Sequence, residues 1–233
     1  MREVPRNMGE GMIGLAIHTC SPELGLALCG IPGEPGVVDA DSRIGPIRQQ
    51  TWDLGRDLAA HLHPILMDFI QPYSWGDLAF LAVAQGPGGF TGTRVGVVTA
   101  RTLAQQLQIP LFGVSTLAAI AQAQVDQRVI TGTLAVAMAA QRGQLFTALY
   151  QPIAGGLITR QSEQIANPTE WDHTLAQYPD PLVVLTAPTH LGHTVAQVLS
   201  ISYHRWQQGQ RPGWDRVLPY YGQHPVTASP PSV

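Results

Sequence analysis

Lysine is absent from this 233-residue chain, so all 13 of its basic side chains are arginine. Without lysine there is no amine for a Schiff base and no Walker-type contact to a phosphate. The acidic residues number 16 and the formal net charge is −3. That leaves no basic field of the kind that carries nucleic-acid binding by one chain alone. Cysteine is scarce as well: Cys20 and Cys29 are the only two. The scarcity excludes a disulfide framework and favours a reducing cytoplasm. No apolar run reaches the ~20 residues of a membrane-spanning helix. The segment Met1 to Met12 is polar, carries Glu3 and Glu10 and has no apolar signal core. It reads as a disordered leader over residues 1–11, with Met8 and Met12 as alternative starts.

What is present is ample core material. Hydrophobic residues make up 45% of the chain and charged residues 12%, which describes a folded protein of one large domain or two small ones. Apolar runs around a break at Ser21-Pro22 predict a hairpin from Gly14 to Cys29. A third, irregular strand is expected over Val37–Arg48. Leu54, Leu58, Leu62, Ile65, Leu66 and Phe69 recur at spacings of three and four, so Leu54–Ile70 reads as a helix that Pro64 kinks or breaks. Leu78–Ala84 is a buried strand. Thr93–Leu107 is a helix, Pro110 ends that pattern, and Leu111–Val114 is a short strand. Ser115 suits the N-cap of a helix through Gln124. Strands follow at Thr131–Ala139, Gln144–Tyr150 and Leu182–Thr186, with a tight turn at Arg142-Gly143 and a short helix at Leu191–Leu199. The tail from Gln207, rich in Pro, Gly and aromatics, is expected to run extended over the surface. Two α/β halves are expected, 12–112 and 113–227, with 228–233 disordered.

The most informative stretch is Gln85 to Gly96, a glycine-rich turn between the strand ending at Ala84 and the helix from Thr93. Strand, glycine turn and helix is a usual place for backbone N–H groups to meet a phosphate, and Gly86, Gly88, Gly89 and Thr91 are the candidates. The stretch matches neither G-x-G-x-x-G nor the lysine-bearing P-loop. Gly92, Gly96, Ala100 and Ala104 stand four apart, flanked by Leu103 and Leu107. Such a stripe admits a helix closer than the usual ~8–10 Å, whether from this chain or from another. His18 ends a buried strand, where a polar residue can hold a ligand or sit satisfied. His61 with His63, and His190 with His193, lack nearby oxygen ligands and do not make a metal site. No nucleophile–base pair is legible, and Cys20 has only His18 as a basic neighbour.

Leu15-Ala16-Ile17-His18-Thr19-Cys20, the run Gly86-Pro87-Gly88-Gly89-Phe90-Thr91-Gly92-Thr93-Arg94-Val95-Gly96, and Gly113-Val114-Ser115-Thr116-Leu117 together resemble the TsaB (YeaZ) family. The resemblance covers Met12 to about Gln124 well and the remainder weakly, with Pro219-Tyr220-Tyr221 similar to the family's closing P-x-Y. It implies an actin-like fold of two α/β lobes, of the sugar kinase and Hsp70 type. It also implies a non-catalytic subunit in forming threonylcarbamoyladenosine in tRNA. Such a subunit pairs with TsaD, the metal-bearing catalyst, and is joined by TsaE, an ATPase. tRNA would be met only indirectly, no cofactor would be held tightly, and a nucleotide could sit at the partner interface. The family pairs, and also forms homodimers, through its first two helices. Carried onto this chain, that interface comprises Leu54, Leu58, Leu62, Gly92, Gly96, Ala100, Leu103 and Ala104.

Four departures from the family pattern stand out. His18 replaces the strand-one Asp that sits by phosphate and metal in actin-like enzymes. Gly89 replaces the loop Ser. Ala139-Ala140-Gln141-Arg142-Gly143-Gln144-Leu145-Phe146 replaces D-A-R-x-G-E-x-Y, and the H-x-x-x-H metal pair of TsaD is absent. The alternative enzyme readings are a glycoprotease-like metallopeptidase and an actin-like small-molecule kinase. The first needs clustered metal ligands, and the second needs the carboxylate that His18 replaces.

Overall fold

The computed structural model describes residues 12–31, 46–153 and 156–222. The leader over 1–11, the tail end over 228–233 and most of the strand expected over Val37–Arg48 lie outside the described residues. The chain first builds a five-stranded sheet. Strand β1 (Ile13–His18) pairs antiparallel with β2 (Glu23–Gly30), which pairs antiparallel with β3 (Ile47–Asp53). On its other side β1 pairs parallel with β4 (Leu78–Ala84), and β4 with β5 (Leu111–Val114), giving the order β3-β2-β1-β4-β5. The third strand therefore starts at Ile47, beyond most of the predicted segment. Its Arg48, Gln49, Gln50 and Thr51 are all exposed, as suits an edge, and they carry no apolar pattern to read.

Strand alternation assigns the two faces of this sheet. Ile13, Leu15, Ile17, Leu81 and Val83 face one core with helices α1 (Leu58–Ile70) and α2 (Phe90–Leu107). Ala16, Ala27, Phe80, Ala82 and Ala84 face a second core, filled by Val195, Leu199, Tyr203 and Trp206 of α5 (Val195–Gln207). Small residues on that side leave room for the aromatic rings. Pro64 does not break α1, which runs through it. The carbonyl that loses its donor is that of Ala60, and both residues lie on the exposed side, where water can serve instead. The helix begins at Leu58 because Gly55–Asp57 forms a separate 3-10 turn, with Leu54 just before it.

The second sheet has the order β8-β7-β6-β9. Strands β6 (Thr133–Ala139), β7 (Leu145–Ile153) and β8 (Gly156–Ala166) form an antiparallel meander, and β9 (Leu182–Thr186) pairs parallel with β6. Helix α3 (Thr116–Gln127) covers one face and α4 (Pro168–Gln177) the other, through Trp171. Ser115 caps α3 as predicted, accepting from the N–H groups of Leu117 and Ala118. Strand β8 and helix α4 were not expected. The strand is mostly polar, and the helix announces itself only by its capping box, Asn167 with Glu170. Residues Gln141–Gly143 make a 3-10 turn in which Arg142 takes the left-handed conformation, φ 57°. The predicted short helix is a 3-10 turn, Gly192–Thr194, running into α5. The tail does not merely lie on the surface, since Val217 is buried in the first core.

Candidate functional site

The glycine-rich turn and the β1–β2 turn meet at the ends of β1 and β4, where an actin-like enzyme would hold its phosphates. His18, Thr19 and Cys20 are all buried there. Two hydrogen bonds join the turns: the Thr19 hydroxyl donates to the Gly92 carbonyl (2.8 Å) and the Gly89 N–H donates to the Cys20 carbonyl (2.8 Å). At Gly96 an added Cβ would collide with the Thr19 hydroxyl, and at Gly92 with the Thr19 carbonyl. The two helical glycines thus admit the chain's own β1–β2 turn, which corrects the expectation that they make room for a partner's helix.

The same correction applies to most of the predicted interface. Leu58, Leu62, Gly96, Ala100 and Ala104 are buried in the chain's own structure; Leu54, Gly92 and Leu103 are partly so. A four-residue spacing drifts by about 40° per step, so such a stripe crosses from the face toward α1 to the face on the sheet. The outward faces carry other residues: Met67 on α1, and Thr91, Arg94, Val98, Thr102 and Gln105 on α2. Met67 is 61% exposed and Val98 is 58% exposed.

The candidate phosphate loop is also committed to the chain itself. Gly86 is buried with φ +107°, its carbonyl accepts from the Thr116 N–H (2.8 Å), and the Tyr220 carbonyl presses where a side chain would be. Gly89 has given its N–H to Cys20, and Thr91 is exposed on the first turn of α2.

His18 cannot act as the carboxylate it replaces. Its Nδ1 accepts from the Cys20 N–H (3.4 Å), which leaves the ring proton on Nε2, a buried atom without a hydrogen-bond partner among the described residues. Burial, with a smaller contribution from His193, lowers its pKa to about 3. The ring is therefore neutral at physiological pH and offers no negative charge to a cation. The Cys20 thiol donates to the Ala84 carbonyl (3.3 Å), and burial raises its pKa, so it is no nucleophile. His61, His63, His190 and His193 are exposed. Among the described residues no three of His, Cys, Asp and Glu stand close enough to hold a metal ion.

Beside this turn lies a cluster that sequence reasoning missed. The Tyr150 hydroxyl donates to Glu163 (2.7 Å) and shares a hydrogen bond with Ser115 (3.3 Å). Tyr220 ties the two sheets together: its N–H donates to the Gln85 carbonyl (2.7 Å) and its hydroxyl to the Glu163 carbonyl (2.9 Å). Its ring also meets that of Phe146. Pro219-Tyr220-Tyr221 was the available signal, but its partners lie far away in the sequence.

The sequence profile described as "TsaD: tRNA N6-adenosine threonylcarbamoyltransferase" matches residues 57–184, more than half of the chain. The chain belongs to this family. Within it, the similar proteins carry the name TsaB. The "tRNA threonylcarbamoyladenosine biosynthesis protein TsaB" of Bacillus subtilis (strain 168) is 36% identical over 115 residues, 49% of each chain. That of Escherichia coli (strain K12) is 32% identical over 145 residues, 61% of this chain and 57% of the relative. The match thus spans about half the length of these relatives. Among solved structures, YeaZ from Pseudomonas aeruginosa has a TM-score of 0.69 at 22% identity, covering 90% of this chain and all of that one. A protein described as similar to peptidase YeaZ from the same organism has a TM-score of 0.71 at 23% identity, covering 91% and 100%. The TsaB resemblance and the two-lobed actin-like fold read from the motifs therefore both hold.

Proposed function

We propose that this chain is a non-catalytic subunit in the formation of threonylcarbamoyladenosine, next to the anticodon in tRNA. It docks a TsaD-like catalytic subunit through the outward faces of α1 and α2. One observation carries the docking: two adjacent helices hold Met67 and Val98 more than half exposed, although the chain has buried apolar side chains of this kind elsewhere. The relatives' names support the pathway. The neutral His18 and the glycine turn closed by Thr19 and Cys20 favour a supporting role over the kinase and metallopeptidase readings. In this reading a TsaE-like ATPase joins the pair, a homodimer uses the same faces, and tRNA is met mainly by the other subunits. The chain holds no cofactor tightly by itself, any nucleotide sits at the partner interface, and the complex works in the cytoplasm. None of the helices among the described residues is long and apolar enough to cross a membrane.

The test is co-expression with the TsaD-like protein of the same organism, followed by size-exclusion chromatography. Wild type is expected to co-elute with that protein. Val98→Asp with Met67→Asp should elute alone while keeping the wild-type melting temperature within about 2 °C, because both side chains point outward. Co-elution of the double variant at wild-type affinity would refute the docking face.

A further inference from the structure

Two arginines on α2 have their faces occupied and, among the described residues, their edges free. The Arg94 guanidinium lies over the Phe90 ring at 4.9 Å, and Phe90 is itself held by Tyr221, with ring centroids 4.7 Å apart. Seven residues on, Arg101 lies over Trp214 of the tail at 5.7 Å. Each stack fixes a long side chain that would otherwise lose rotamer freedom on binding. Among the described residues neither guanidinium donates to a carboxylate or a carbonyl. Helix α2 contains no Asp or Glu. Seven residues are two turns, so the two arginines are rooted on one side of the helix, with their Cα atoms about 10 Å apart along its axis.

We infer that Arg94 and Arg101 are a preorganised pair of carboxylate clamps, and that the partner is a protein presenting two acidic side chains about 10 Å apart beside an apolar patch. A planar fork takes a carboxylate through two parallel N–H···O bonds, which fixes register as well as adding attraction. A protein partner is favoured over a nucleic acid because exposed Val98 lies between the two arginines along the helix. An apolar side chain there is matched by a partner's apolar surface and opposed to a sugar–phosphate backbone. The inference rests on the docking face proposed above and adds the chemistry that selects what docks.

The experiment measures the dissociation constant for the TsaD-like protein by calorimetry at 0.05 M and 0.5 M NaCl. Proteins tested are wild type, Arg94→Glu/Arg101→Glu, and Arg94→Lys/Arg101→Lys, each checked for an unchanged melting temperature. Charge reversal should weaken binding about a hundredfold or more at low salt. The lysine pair keeps the charge but loses the fork, and should weaken binding about tenfold. High salt should narrow these differences. Arginine substitutions at the facing acidic positions of the partner should restore binding to the Glu pair. If wild type binds and the reversed pair binds within threefold of it, the clamps are refuted while the docking face stands. If the reversed pair keeps the protein partner but loses affinity for tRNA, the arginines face RNA and the inference is overturned. If wild type does not bind the TsaD-like protein at all, the proposed function falls and this inference with it.

Discussion

Acidification should destabilise this protein through one residue, His18. In the unfolded chain its imidazole titrates near 6.5; in the folded chain burial, aided by His193, lowers that to about 3. Because the folded pKa is the lower one, the stabilisation is complete above pH 6.5 and shrinks as pH falls, until it is gone below about 3. Between these limits the loss runs at about 1.4 kcal/mol per pH unit, so moving from pH 7.5 to pH 5.0 removes about 2 kcal/mol. For a chain of this length that corresponds to roughly 4–8 °C in melting temperature. The measurement is urea unfolding followed by circular dichroism at both pH values, for wild type and His18→Asn. The substitution keeps a polar group to accept from the Cys20 N–H and removes the titrating ring. The exposed histidines are common to both proteins, so the difference between the two pH responses isolates His18. Wild type should lose about 2 kcal/mol more than the variant. Equal losses would mean that His18 reaches water or finds a partner for Nε2 on protonation, and the buried-neutral account would be wrong.

Gly96→Leu should destabilise the fold itself, by about 1–3 kcal/mol or more, because the new side chain meets Thr19. Its melting temperature should fall before any partner is added; an unchanged value would return Gly96 to the list of exposed interface positions. Both thiols should resist a thiol reagent at pH 8 in the native protein and react in denaturant, since burial raises the pKa of Cys20 and brings that of Cys29 to about 11. Rapid labelling of Cys20 in the native state would show that the two turns open.

Much of the fold was legible because periodicity encodes burial locally. Leu78–Ala84, Leu111–Val114 and Leu182–Thr186 read as strands and are strands with those bounds. Strand β8 was not legible because only its last residue is buried, which leaves no alternation of two to read. Strand β3 failed for the same reason. At the site, sequence spacing showed that Gly92, Gly96, Ala100 and Ala104 form a close-packing surface. Spacing carries no information on which neighbour does the packing, and here the neighbour is a turn some 70 residues earlier in the chain. The tail shows the same limit: Tyr220 was visible in a motif, while its contacts are Gln85, in the turn after β4, and Glu163, in β8 of the other sheet.

By itself the sequence determined the family and most of the strands and helices, and its resemblance to the family marked His18 as standing where that family carries an Asp, since each depends on residue identity or local spacing. Only the tertiary structure decided that His18 is sealed and neutral, that the glycines serve the chain's own turn, and that Met67, Val98 and Arg94 are left facing outward while Arg101 lies half-buried over Trp214. Burial and contact are properties of how distant segments pack. A periodic pattern names the face that must be covered, but the three-dimensional arrangement selects what covers it and what remains for a partner.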